Sequence, residues 1–368
     1  MENHNPPSVP TPDLRILLVG NYLNDRQESM LRFADTLVEG MKARDVQVTL
    51  IRPEAFFGRL KPGAAGLGKW LGYLDKFLVF PFVLKRHAPR FDVVHICDHS
   101  NAHYTRHLCA LPCLVTCNDL LAVRSALGEF PQNPTGWTGR ILQRLILRGL
   151  KRARRITCIS KATRSDVLRL TGLPEARVDV TYMGFNYPYS PAAPDPQRKP
   201  YLLHVGGGQW YKNRAGVLAI YAELRMLCGK NPPKLILVGP PPAGAPPGVE
   251  SVSGVDNERL RALYSSAELL LFPSLEEGFG WPIVEAQACG CRVVTTRKAP
   301  MTEIGGDAAF YINDPQDAKA GARTVLEVLT QDAETRRRAV EAGLENAAQF
   351  STEKMITSYL AIYEELMR

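Results

Sequence analysis

No apolar run in these 368 residues approaches the ~20 that a membrane-spanning helix needs. The longest, Phe77 to Leu84, is interrupted by Pro81. The first thirteen residues, Met1 to Asp13, hold four prolines and no apolar core, so they read as a disordered leader rather than a signal peptide. The expected location is therefore the cytoplasm. No Gly-x-Gly-x-x-Gly follows the first predicted strand, which argues against a dinucleotide fingerprint there. The eight cysteines (Cys97, Cys109, Cys113, Cys117, Cys158, Cys228, Cys289 and Cys291) contain no Cys-x-x-Cys pair. Buried free thiols in a reducing compartment are expected, not a metal site.

The length suits two domains better than one core. Hydrophobic content of 45% with 22% charged residues is ordinary for a folded globular chain. The net charge of +8 favours anionic partners: sugar nucleotides, acidic lipid surfaces or nucleic acid. Nothing resembling a nucleic-acid readout motif accompanies the charge, so nucleic acid is not an expected partner.

Residues 14–186 read as a first doubly wound α/β domain. Leu14 to Gly20 is a buried strand, and Met30, Phe33, Ala34, Leu37, Val38 and Met41 recur at helical spacing. Gln47 to Ile51, Asp92 to Cys97, Cys113 to Cys117, Ile156 to Ser160 and Val178 to Tyr182 supply further strands. Residues 52–90 form an insertion rich in aromatics and basic residues, expected as a pair of helices packed on the sheet. The alternative is a surface touching an apolar acceptor or a lipid headgroup layer. From Trp137 to Arg169 ten Lys or Arg stand against one acid, with Arg140, Arg144 and Arg148 four apart on a basic amphipathic helix. Such a face is either solvated or suited to an anionic membrane surface. Ligands in open α/β sheets bind beyond the carboxyl ends of strands, so Asp98 to Asn101 and Asn118-Asp119 are expected to face a cleft. A proline-rich linker spans 187–199, a second α/β domain 200–351, and a closing helix 352–368.

Two stretches carry the chemistry. In the first, Leu269 to Phe272 reads as a buried strand, the chain turns through Gly278 and Gly280, and Pro282 opens a short helix at its first position. The amides around Phe279, Gly280 and Trp281 then sit at a helix N-terminus, which favours an anion. Glu277 and Glu285 bracket that cradle. In the second stretch, His204-Val205-Gly206-Gly207-Gly208 ends a strand, and Lys212 and Arg214 follow at the start of a helix. Glycines let amides approach phosphate oxygens, and the cations supply charge.

The string Glu277-Gly278-Phe279-Gly280 with Glu285 resembles the signature of family 4 retaining glycosyltransferases. The likeness extends over most of residues 200–315 and includes the Lys212-Asn213 phosphate segment. It departs where many members carry an Arg beside the first glycine or the lysine; here Gly207 and Tyr211 stand there. Arg26-Gln27-Glu28-Ser29 replaces the usual Gly-Gly after the first strand.

The resemblance implies a GT-B fold: two Rossmann-like domains facing across a cleft. It implies metal-independent transfer of a sugar with retention, with a nucleotide-diphosphate sugar as co-substrate, no cofactor, and a glycan, lipid-linked or small-molecule acceptor. The sequence holds no Asp-x-Asp pair of the kind that carries a metal-bound diphosphate in other transferases. By the same resemblance Lys212, Arg214, Gly206 and Gly207 and the turn at Phe279–Trp281 hold the diphosphate, and Gly254 and Val255 contact the nucleobase. Glu285 binds the ribose hydroxyls and Glu277 the donor sugar. His99 and Asp98 fall on the acceptor side. Competing readings are a nucleotide-sugar epimerase or hydrolase on the same fold, and a nucleotide-sugar-binding protein without catalysis.

Overall fold

A computed structural model of the chain describes residues 14–61, 66–108, 110–185, 187–193, 200–242 and 244–368. The expected leader, residues 194–199 of the expected linker and Cys109 lie outside the described residues. The chain divides into two compact units: residues up to 186 together with Thr352–Arg368, and Tyr187–Ser351.

The first unit is a parallel sheet of β1 (Arg15–Val19), β2 (Gln47–Ile51), β3 (Val93–Ile96), β4 (Cys113–Cys117), β5 (Arg155–Cys158) and β6 (Val178–Val180), in the order β2-β1-β3-β4-β5-β6. Its helices are α1 (Glu28–Lys42), α2 (Gly66–Leu74), α3 (Phe80–His87), α4 (Leu121–Ala126), α5 (Trp137–Arg152) and α6 (Lys161–Thr171). Ile16, Leu17, Leu18 and Val19 are all fully buried, as a parallel strand covered on both faces requires. Each such side chain contributes about 1.5–3 kcal/mol of burial. The insertion is not a pair of separate helices. Five residues of π-helix, Asp75–Val79, join α2 to α3 in one helical run from Gly66 to His87.

The second unit repeats the plan with β7 (Tyr201–Val205), β8 (Lys234–Val238), β9 (Val249–Val252), β10 (Leu269–Phe272), β11 (Val293–Thr296) and β12 (Ala309–Ile312), in the order β12-β11-β10-β7-β8-β9. The edge strand β9 is half-buried and carries no apolar run, so the sequence gives no strand signal there. Helices α7 (Arg214–Cys228), α8 (Asn257–Ser266), α9 (Trp281–Ala288), α10 (Met301–Gly305), α11 (Ala318–Leu329) and α12 (Ala333–Ala347) surround it. The core gathers around Leu202, Val217, Ile220, Leu235, Leu271 and Val294.

The last helix, α13 (Thr352–Met367), packs in the first unit. Ile356 lies against Gly40 of α1, where a Cβ would come within 2.6 Å of its Cγ1. A buried polar chain completes the seat. His95 of β3 meets the Tyr363 hydroxyl at 2.7 Å and the Thr116 hydroxyl at 2.7 Å, and Thr116 meets the Tyr359 hydroxyl at 2.9 Å. Burial lowers the His95 pKa to about 3, so the ring is neutral and each nitrogen finds a partner.

Each sheet reverses its winding once. The reversal falls between β1 and β3 in the first and between β7 and β10 in the second, which are the places where open α/β sheets leave a crevice at their carboxyl edge. Among the described residues no helix is long and apolar enough to cross a membrane.

Candidate active site

At the reversal of the second sheet, the loops leaving β7 and β10 are tied to each other three times. The Leu275 amide donates to the Tyr211 carbonyl at 2.8 Å. Asn213, in the left-handed region at φ 54°, donates from Nδ2 to the Pro273 carbonyl at 2.9 Å while its Oδ1 caps α7 by accepting from the Gly216 amide. Between these ties, Lys212 Nζ donates to both oxygens of Glu277, at 2.8 and 3.0 Å. The ammonium also stands 5.0 Å from the Phe272 ring centroid and 5.6 Å from that of Tyr211, so aromatic faces shelter the cation from water. A charged pair placed where an α/β sheet opens its crevice is a candidate site for an anionic or hydroxyl-rich ligand.

Gly206 and Gly207 lie in the loop after β7. A Cβ at Gly206 would come within 2.9 Å of His204 Nε2, so closeness to that ring, not a left-handed backbone, requires glycine here. His204 itself is fully buried and donates from Nδ1 to the Leu271 carbonyl at 2.9 Å. Burial lowers its pKa to about 4, leaving a neutral ring whose buried Nε2 has no protein partner. Neither His204 nor Ser274, whose buried hydroxyl is likewise without a partner, was singled out from sequence. The only pointer to either was its place at or beyond the carboxyl end of a central strand.

The turn after β10 brings Phe279, Gly280 and Trp281 to the start of α9. The helix begins at Trp281, so Pro282 takes its second position rather than the first. Gly280 is the N-cap, with φ 103°, a backbone conformation that only glycine adopts readily. Phe279 is buried against Trp281 edge to face, ring centroids 5.6 Å apart, which fixes the direction in which the helix starts. Glu285 lies one turn further, largely buried, and its Oε2 accepts from the Tyr264 hydroxyl at 2.9 Å. Burial and the Glu285 charge push the Tyr264 pKa well above its ordinary value, so the phenol stays a donor. Tyr264, on α8, is a third residue that sequence reasoning missed; it sits in an ordinary helical apolar pattern.

Arg214 does not join the Lys212–Glu277 pair. Its guanidinium donates to the Pro240 carbonyl at 2.6 Å, in the loop after β8. Gly254, with φ 65°, and Val255 follow β9, and the Ser253 hydroxyl donates to the Gly239 carbonyl in that same β8 loop. Gly254 and Val255 therefore belong to the outer loop after β9, and Arg214, at the start of α7, reaches the loop after β8.

In the first unit Asp98 and His99 follow β3 at the other reversal. The Asp98 carboxylate is saturated. It accepts from Asn21 Nδ2 at 2.7 Å, Asn118 Nδ2 at 3.1 Å, the Ser100 amide at 3.3 Å and the Ser100 hydroxyl. Burial alone would raise this carboxyl. The His99 charge and the hydrogen bonds from Ser100 and Asn21 overcome it and hold the group well below the usual carboxylate range. His99 Nδ1 lies 3.0 Å from Asp98 Oδ1, as an ion pair rather than an aligned hydrogen bond. Burial works against the imidazolium, yet the Asp98 charge raises the His99 pKa above its ordinary value. Asp98 thus holds three loops together and orients His99, with no lone pair left over to take up a proton from a substrate.

Comparison with known proteins agrees with this architecture. Residues 189–346 match the family described as Glycosyl transferases group 1, and residues 30–187 match Glycosyltransferase Family 4. The chain is 31% identical over 249 residues to O-antigen chain mannosyltransferase B of Escherichia coli, covering 62% of this chain and 65% of that relative, just under two thirds of its length. It is 27% identical over 315 residues to D-inositol 3-phosphate glycosyltransferase of Mycolicibacterium smegmatis, covering 76% and 69%. Among solved structures, sucrose-phosphate synthase from Thermosynechococcus elongatus superposes with a TM-score of 0.72 at 19% identity over 96% of this chain and 99% of that one. Anabaena HepE in complex with UDP-glucose superposes at 0.64, with 15% identity over 96% and 99%. The two six-stranded parallel sheets are those of the GT-B fold.

Proposed function

Because this chain belongs to the glycosyltransferases of family 4, glycosyl transferases group 1, we propose that it moves a sugar from a nucleotide-diphosphate donor to a glycan or lipid-linked acceptor, with retention and without a metal. The observation that carries this reading is the Lys212–Glu277 pair at the β7/β10 reversal, with Glu285 one turn into α9.

In this reading negative charge grows on the departing diphosphate as the glycosidic bond breaks. Lys212 and the amides at the start of α9 stabilise that charge, in a setting that aromatic rings keep dry. Lys212 exchanges its carboxylate partner for a phosphate oxygen when the donor enters, and Glu277, released, accepts from hydroxyls of the donor sugar. Glu285, held by Tyr264, accepts from the ribose hydroxyls. Arg214, with Gly254 and Val255, lines the outer, nucleoside side, and Gly206 and Gly207 admit the diphosphate. His99 serves the acceptor, and Asp98 positions it. No side chain is assigned as a nucleophile. A lipid-linked acceptor would bring the protein to the cytoplasmic face of a membrane, and the exposed arginines of α5 suit an anionic one.

The relatives' names direct the first experiment. Purified protein is given UDP-glucose and a nucleotide-bound mannose, each with and without sugar and lipid-linked acceptors, while released nucleotide and glycosylated product are followed. Acceptor-dependent product supports the proposal. Nucleotide release or sugar inversion without any acceptor favours a hydrolase or epimerase, and donor binding without turnover favours a binding protein.

A further inference from the structure

Eight of the fifteen large apolar side chains that stand exposed among the described residues fall between Phe56 and Val83. They are ordered, not scattered. The inner face of the helical run from Gly66 to His87 is accounted for by its own unit: Gly68, Gly72, Asp75, Phe80 and Leu84 are buried. Gly72 lies against Tyr22, where a Cβ would sit 3.1 Å from Cε1. The Asp75 carboxylate accepts from the amides of Phe57 and Gly58, at 2.8 and 2.9 Å, and from the Tyr22 hydroxyl at 2.9 Å. The outer face then reads Leu67, Trp70, Leu74, Leu78 and Phe82, three or four residues apart along one stripe. Trp70 is 57% exposed and Phe82 74%. A surface helix of a globular unit needs one apolar stripe, and this one carries two.

The second stripe has a cationic fringe. Lys69, Lys85 and Arg86 are exposed beside it. Helix α5 adds Trp137, 74% exposed, and Ile141 at its start, with Arg140, Arg144 and Arg148 along its open side. Among the described residues Arg144 and Arg148 form no ion pair with any carboxylate. Both helical elements pack on the segment His99–His107. Phe77 stacks on His103 with centroids 4.4 Å apart, and Gly149 of α5 comes so close to the Ala102 carbonyl that no Cβ would fit. Since α3 leads into β3 and α5 into β5, each element starts at the carboxyl edge of the first sheet. Leu67, Trp70 and Trp137 therefore stand at the same edge as Asp98 and His99.

We propose that this face of the first unit docks on an anionic lipid bilayer, with the Leu67–Phe82 stripe at the acyl boundary and the basic side chains among the headgroups. The charge selects this occupant. A second copy would press the same cations against themselves, whereas lipid phosphates neutralise them. The side-chain types fit as well: Trp settles at the headgroup level, and Lys and Arg stems lie along apolar surface with their charges in water. Docking deepens the reading of a lipid-linked acceptor but needs no donor and no turnover. Its failure would leave the sugar-transfer reading standing for a soluble acceptor.

The test is sedimentation of the full chain with vesicles of phosphatidylcholine, alone or with a third of phosphatidylglycerol, at low and high salt. Two variants accompany the parent: Trp70→Ser/Leu78→Ser/Phe82→Ser and Arg144→Gln/Arg148→Gln, with circular dichroism and melting checked for each. The parent is expected to bind the anionic vesicles. The apolar variant should bind at least about tenfold more weakly, since each side chain forfeits burial at the acyl boundary. The arginine variant should bind with a flatter salt dependence. Should the triple variant fold poorly, Phe82→Ser alone tests the same point with a smaller loss. The proposal is overturned if the parent ignores anionic vesicles, if the folded apolar variant binds as the parent does, or if ultracentrifugation shows a dimer that the same substitutions dissolve.

Discussion

Lys212 Nζ lies within hydrogen-bonding distance of both carboxylate oxygens of Glu277, 65 positions further along the chain, and the pair bridges the loops on either side of the β7/β10 reversal. Both side chains are largely buried, at 16% and 7% exposure. Removing one partner therefore leaves the other charge poorly solvated, which ties the two residues functionally as well as spatially.

Tyr264→Phe removes a hydroxyl that donates to Glu285 Oε2. Nucleotide affinity should fall by about 0.5–1.5 kcal/mol, the worth of one hydrogen bond. Glu285→Gln should cost more, roughly 1–3 kcal/mol, because the bonds proposed between its carboxylate and the ribose hydroxyls would be charge-assisted. Calorimetry with the free nucleoside diphosphate reads both. Equal affinity for the parent and Glu285→Gln would remove Glu285 from the nucleoside site.

Activity should persist in EDTA, since Lys212 and the α9 N-terminus are assigned the charge that a metal would otherwise stabilise. A loss of about a hundredfold restored by Mg²⁺ or Mn²⁺, the scale of one charge-stabilising contact, would contradict this.

Stability should fall as pH drops below about 6.5. Burial lowers the pKa of His95 to about 3, of His103 to about 3 and of His204 to about 4, so the unfolded chain binds protons at these rings before the folded chain does. Their contribution is complete above the unfolded value of 6.5 and is lost as pH descends toward 3–4. His99 has the opposite sign, because its raised pKa adds stability on the acid side. His95→Gln isolates the effect: its melting temperature should decline less than the parent's between pH 6.5 and 4.5. His95 accounts for about 1.4 kcal/mol per pH unit in that range. Parallel pH profiles for the two proteins would contradict the assignment.

The apolar runs of Ile16–Val19 and Leu269–Phe272 announce buried parallel strands, and Gly278 and Gly280 mark the turn from β10 into α9. The two-unit α/β plan and the family are legible from such local signals. What is not legible is pairing across the chain. Asn21 and Asn118 reach Asp98 from 77 and 20 residues away, and Tyr264 reaches Glu285 from a neighbouring helix. These contacts depend on strand order, which local pattern does not encode. The same holds for α13: its buried face is periodic in the sequence, but its partner, His95 on β3 of the first unit, is not. The edge strand β9 lacks an apolar run, and the exposed stripe from Leu67 to Phe82 looks like core until the structure shows which face is already packed.

Glu277→Gln tests the central claim most directly. If Glu277 meets the donor sugar as the bond breaks, steady-state turnover should fall about a hundredfold, with the loss confined to the transition state. Calorimetry should find free nucleoside diphosphate bound as tightly as by the parent, or more tightly, because Lys212 no longer has to leave a carboxylate. Turnover that stays at the parent's level while nucleotide affinity collapses would contradict the account.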